Sequence, residues 1–260
     1  MRRVLLVARR EWLEHRRQPA MIAAMGAVLA VIAGLVLFVA LLMALIESQP
    51  ASRVLFEQNL ATTGMAIDDP IHTVIDGVLS SFNFLLFTQL LGMTAVLAGH
   101  AILHERQCGT LPFLMVSPLG RGELLLGKVL GAVFTPWLLY LGLGGCTAAA
   151  LSALDVCQPF AWRLPPSPGW LIAFGLGGPA WAMALAAGGA ALSVRAADVR
   201  TAQQGVWFLV FLASIFGGWM LGGPLQEDAS FQAVVALLGL LLTAAGIGVG
   251  TWLLRRDLHL

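Results

Sequence analysis

His100, His104 and Cys108 recur at i, i+4 and i+8 with Glu105 beside them, so a continuous helix would carry three soft or borderline metal ligands on one stripe. The zincin order His-Glu-x-x-His is not met, and Gly109 and Pro112 end such a helix just beyond. The stripe therefore reads as polarity near a span end, and no metal site is assigned. Gly122 to Val129 fits the G-x-x-x-x-G-K frame of a phosphate loop but places Val129 where Ser or Thr should hold magnesium. Leu124, Leu125 and Leu126 fill the stretch that should expose backbone N–H groups. There is no G-x-S-x-G elbow, and His72, between Asp68 and Asp76, has no nucleophile near it in sequence. The reading assigns no catalytic residue and no cofactor to this chain; if ATP drives it, ATP and magnesium bind to another subunit.

The elements that must carry these residues belong in a bilayer. Of the 260 residues 58% are hydrophobic and 11% charged, against about a quarter charged in soluble domains. A helix needs roughly 20 apolar residues to span the hydrocarbon core. Six runs qualify, at 20–46, 77–103, 129–154, 171–194, 201–224 and 230–254. The alternation of a barrel strand is absent, so the expectation is an all-α membrane protein of six transmembrane helices, one domain over 1–260. An N-terminal interfacial helix covers 1–18, with Val4, Leu5, Ala8 and Trp12 on one side and Arg10, Glu14 and Arg17 roughly opposite. It is not a signal peptide, because the apolar run after it is about twice the length of a cleavable h-region.

Basic residues set the orientation. Arg2, Arg3, Arg9, Arg10, Arg16, Arg17, Arg106, Arg121, Lys128, Arg195, Arg200, Arg255 and Arg256 fall on one side of the six-span scheme, and only Arg53 and Arg163 on the other. Both termini are expected in the cytoplasm of a bacterial inner-membrane protein. The formal net charge of +1 gives no support for a nucleic-acid partner. In the outer segment from Glu47 to Asp76, a short helix is expected near Val54 to Leu60. Trp162 and Trp170 are expected as anchors at headgroup depth. Gly246 and Gly250, at i and i+4, are expected to let two helices approach closely. Cys108, Cys146 and Cys157 fall in three different compartments, which argues against a disulfide.

The middles of the runs hold only uncharged polar groups, among them Asn83, Thr88, Gln89, Thr94, Thr135 and Thr147. Ion-driven pumps keep ionisable groups at that depth, so work must arrive from outside the membrane. Asn83, Gln89, Thr94 and Gln204 are the candidates for lining a translocation path. The place to receive the work is the charged island at 104–128, where Gly109 and Pro112 break one helix, Pro118 and Gly120 make a turn, and Glu123 begins another. A short rigid element between two breakers transmits rigid-body motion.

Read in order, Glu105, Gly109, Thr110, Leu111, Ser117, Pro118, Arg121, Glu123, Gly127 and Lys128 resemble the first cytoplasmic loop of the permease subunits of ABC-2 type transporters. The basic N-terminal helix and the six-span topology are similar too. Within that family, the Ser117 to Lys128 run and Gly205 to Leu209 look closest to the permease that serves nitrous-oxide-reductase copper-site maturation. The resemblance implies a dimer of permeases, identical or related, resting on two copies of a cytoplasmic ATPase that binds ATP and magnesium, with membrane lipid around it. An outer-side binding protein is a further partner to look for. It implies a coupling helix docked in the ATPase, with Glu105, Arg106, Gly109, Thr110, Leu111, Pro118, Arg121 and Glu123 as the coupling residues and an apolar or amphipathic cargo. Two rivals stand beside it: an intramembrane metal-dependent enzyme using the His100/His104/Cys108 stripe, and a scaffold that anchors partner subunits.

Overall fold

The structure is a computed structural model of the chain; it describes residues 2–16, 19–62, 70–101, 105, 107–110, 120–154, 168–196, 198–221 and 228–256. Among these residues there is no strand. Helix α1 covers Arg2–Arg16, α2 Pro19–Ser48, α3 Pro50–Thr62, α4 Pro70–Ala101, α5 Arg121–Ser152, α6 Pro168–Arg195, α7 Val199–Leu221 and α8 Ala229–Arg256. Among the described residues five stretches are long and apolar enough to cross a bilayer: Ile22–Ser48, Ser81–Gly99, Arg121–Ser152, Pro168–Arg195 and Ala229–Arg256. The chain is thus a multi-pass, all-α membrane protein. Helix α7 is not among the five. It covers most of the expected span at 201–224 and is apolar from Val206 to Leu221.

The helices outrun the apolar segments that define them in sequence. Helix α4 begins at Pro70, where a proline costs no hydrogen bond because the first N–H groups of a helix have no intrahelical acceptor. Helix α5 begins at Arg121, so its first two turns, Lys128 included, precede the uncharged run. The short helix expected in the outer segment is α3. Asp228 caps α8: its carboxyl accepts from the Ser230 hydroxyl and from the N–H groups of Phe231 and Ser230, bonds that hold it below the ordinary range.

Glycines fix how the helices pass. A Cβ at Gly239 would lie 3.0 Å from the Ala180 backbone, one at Gly246 2.8 Å from Ala187 Cβ, and one at Gly250 3.6 Å from Ala191 Cβ. Each step along α8 matches a step along α6, so the two helices run side by side in the same direction. Both glycines of the expected pair, Gly246 and Gly250, lie in this seam. Trp181 crosses it, donating its indole N–H to the Val235 carbonyl at 3.2 Å. Helix α4 runs the same way, with Leu90 beside Gly178 and Ala98 beside Gly189. Helix α5 runs oppositely, with Gly144 against Phe174 and Tyr140 beside Gly178, and α7 opposes α4, with Gly217 against Phe87 and Val206 beside Gly99. The C-terminal ends of α4, α6 and α8 therefore meet the N-terminal ends of α5 and α7. That shared end carries Arg121, Lys128, Arg195, Arg200, Arg255 and Arg256.

Helix α6 has one π turn, at Ala173–Gly177. Pro179 follows two residues later and has no N–H to offer the preceding turn. The wider turn seats Phe174 between Tyr140 and Trp170, with ring centroids 4.2 and 4.5 Å away. Trp170 is 5% exposed, so it is a core residue rather than an outward-facing anchor. The apolar residues around it in sequence do not distinguish a lipid-facing ring from a bundle-facing one. Trp162 lies outside the described residues.

Candidate coupling site

Helix α1 is seated on the first half of α5. A Cβ at Gly127 would meet Val7 Cβ at 2.6 Å, and one at Gly131 would meet Glu11 Cβ at 2.5 Å. Trp12 stands edge-on to Phe134 at 5.8 Å. The inward face of α1 is Val4, Val7, Ala8, Glu11 and Trp12. Leu5 is 63% exposed, against the expectation that it shares the face of Val4. Two adjacent residues are about 100° apart on a helix, and the glycine groove of α5 accepts only the stripe at 4, 7/8 and 11. Leu5, Leu6 and Leu13 point outward with Arg9 and Arg10, the composition of a helix that meets a membrane interface.

That stripe brings a carboxylate into the groove, and the groove holds its partner. Lys128 Nζ lies 2.8 Å from Glu11 Oε1 and 2.9 Å from Glu105 Oε1. The three side chains are 2%, 10% and 8% exposed in the order Lys128, Glu11, Glu105. A lysine that deep is stable as a cation only beside such acceptors. Burial pushes the Glu105 carboxyl above its ordinary range, with the Lys128 ammonium opposing. Glu105 Oε2 is buried with no hydrogen-bond partner.

Glu105 is also the anchor of a helix end. Gly109 takes the left-handed conformation, φ 69°, and Thr110 donates its N–H back to the Glu105 carbonyl at 2.9 Å, the long-range bond of a Schellman cap. The Thr110 hydroxyl donates to the same oxygen at 3.2 Å. At the far side of the island, Gly120 donates its N–H to Glu123 Oε2 at 3.0 Å, and the Leu124 N–H bonds the Gly120 carbonyl. Both ends of the island are thus fastened to the bundle. Replacing Gly109 by Ala forces a Cβ into the left-handed region at a cost of about 1–2 kcal/mol. Limited proteolysis within 105–120 is expected to speed up about 5- to 30-fold, the local population change that energy corresponds to.

Of the residues singled out in sequence, the structure brings Glu105, Gly109, Thr110, Arg121 and Glu123 to this end of the bundle, while Arg106, Leu111 and Pro118 lie outside the described residues. Glu105 faces inward and Glu123 caps α5, whereas Thr110 is exposed. The four translocation candidates do not share one environment. Asn83 and Thr94 are buried, Thr94 donating to the Leu90 carbonyl of its own helix at 2.8 Å, Gln89 is half-buried, and Gln204 is exposed. Of the metal stripe, His104 and the side chain of His100 lie outside the described residues, and Cys108 is an exposed thiol that is in no disulfide. Sequence reading missed Glu11 and treated Lys128 only as part of a motif. The available signal was an acid on the apolar stripe of α1, which must find a cation if that stripe is buried.

The fold and this site define a polytopic helical membrane protein with an N-terminal helix and an interhelical loop tied together at its basic end. A family model described as ABC-2 family transporter protein matches residues 5–245, and the chain belongs to that family. No curated protein matches the chain.

Proposed function

We propose that this chain is the non-catalytic permease subunit of an ATP-driven transporter, moving an apolar or amphipathic cargo with work received from a separate cytoplasmic ATPase through the 104–128 segment. The observation that carries this reading is the loop between α4 and α5, fastened at Glu105 and at Gly120/Glu123, in a chain of the ABC-2 family. A push on a loop anchored at both ends moves the helices at either side of it, α4 and α5, as rigid rods. The reading includes six spans with both termini in the cytoplasm, a second permease copy or a related one, and two ATPase subunits carrying ATP and magnesium. The crowding of basic residues at one end of the bundle supports that orientation.

Cys108 offers a direct test because it is exposed on the loop, while Cys146, exposed on α5, serves as control. A short bifunctional thiol-to-amine reagent applied to the membrane complex is expected to join Cys108, and not Cys146, to the ATPase subunit. The reading falls if Cys108 is labelled by an impermeant thiol reagent added outside intact cells, or if no ATPase copurifies with the permease.

A further inference from the structure

The same end of the molecule holds a connection that an ATPase-docking loop does not require. Lys128 joins three separate pieces of chain: its own helix α5, helix α1 through Glu11, and the 105–110 turn through Glu105. Close packing at Gly127 and Gly131 selects the stripe of α1 that enters the groove, but it ties α1 to α5 alone and not to the 105–110 turn. The buried ion triad ties all three. Moving any one of the three groups away strands a charge in a place of low polarity, so the pieces stay together or pay a large penalty.

We propose that Glu11 and Lys128 are positioning residues for coupling, locking helix α1 to the 105–110 turn so that α1 moves with α5 as one body during the ATPase stroke. The inference rests on the reading under Proposed function and extends the moving unit to the N-terminus. Leu5, Leu6 and Leu13 on the outer face of α1 would then be dragged through the membrane interface by the same stroke.

Distances between spin labels in the intact permease–ATPase complex test it, in a Cys146→Ser, Cys157→Ser background. A label on Cys108 reports the loop. A label on Leu5→Cys, with Cys108→Ser, reports α1, since Leu5 is 63% exposed. Both are measured against Leu241→Cys on α8, where Leu241 is 60% exposed. Trapping the ATP-bound state is expected to shift both distances, and Glu11→Gln is expected to leave the Cys108 shift in place while at least halving the Leu5 shift. Glu11→Asp, which keeps the charge, is expected to restore the Leu5 shift, a rescue that a purely packing role for Glu11 would not show. A Cys108 shift with no Leu5 shift, or a Leu5 shift indifferent to Glu11→Gln, overturns the inference alone. No shift at Cys108 overturns the parent reading as well.

Discussion

Lys128→Met is expected to destabilise the protein by about 3–5 kcal/mol, the cost of leaving buried charges without their partner. Methionine fills nearly the same space and suits the apolar surroundings, so loss of volume is not the cause. With the ammonium gone, the Glu11 and Glu105 carboxylates face each other inside a groove where Lys128 is 2% exposed. The two-step repair is informative. Lys128→Met together with Glu11→Met and Glu105→Met removes all three charges, and should recover most of the loss, because replacing a buried ionic group as a whole by apolar side chains of similar volume is often neutral or stabilising. Thermal unfolding in detergent measures both. Recovery of stability without recovery of transport would separate the structural part of the triad from its part in coupling.

The same variant has a signed pH dependence. Burial already holds the Glu105 carboxyl above its ordinary range in the wild type, and Lys128 opposes that rise. Removing Lys128 raises it further. Between the unfolded value and the raised folded value, the native state binds more protons than the unfolded state, so stability falls as pH rises through that window. The deficit of Lys128→Met relative to wild type is therefore expected to shrink on acidification from neutral pH, and unfolding temperatures recorded across the acidic range check the slope. A deficit independent of pH would mean that the lost contact is not ionic.

Gly246→Val is the second large effect, expected to cost about 3 kcal/mol by overpacking. Even the first carbon would lie 2.8 Å from Ala187 Cβ and 3.2 Å from the Ala187 and Gly188 backbone. Backbone cannot rotate aside, so α6 and α8 must separate along the seam that Trp181 bridges. In a bilayer the loss is not cushioned by hydrophobic burial, because helix association there depends on close packing. Gly248→Ala, two residues on and on the opposite face of α8, has nothing within 4 Å of its added carbon and is expected to be neutral or slightly stabilising, since Ala is the better helix former. Parallel thermal unfolding of the two variants isolates the packing contribution from helix propensity.

Gly248 and Gly246 also show where sequence reading stops. The small-residue spacing of Gly246 and Gly250 pointed correctly to a tight seam, but Gly142, Gly145 and Gly175 are equally glycine and have open space where a Cβ would go. Composition says which backbones can approach, and only the neighbour says which do. Helix breakers were more legible, because they act locally: Gly109 ends its helix through its own left-handed backbone, and Glu123 caps α5 three residues from its partner. The long apolar runs were legible for the same reason of scale, since a bilayer demands some 20 consecutive apolar residues whatever surrounds them. Trp170 and Leu5 were misplaced because an apolar residue in a membrane protein can face lipid or bundle at similar cost, so its identity does not reveal its side.

By itself, then, the amino-acid order determined that this is a helical, membrane-spanning chain with a charged, broken loop between two spans, because each of those features is set by hydropathy or backbone conformation within a few turns. The tertiary structure alone decided that Glu11, Lys128 and Glu105 form one buried group. Glu11 and Lys128 are 117 positions apart. Nothing local pairs them; they meet because two glycines on α5 admit α1, and an ion in so enclosed a groove persists only where opposite charge is within reach.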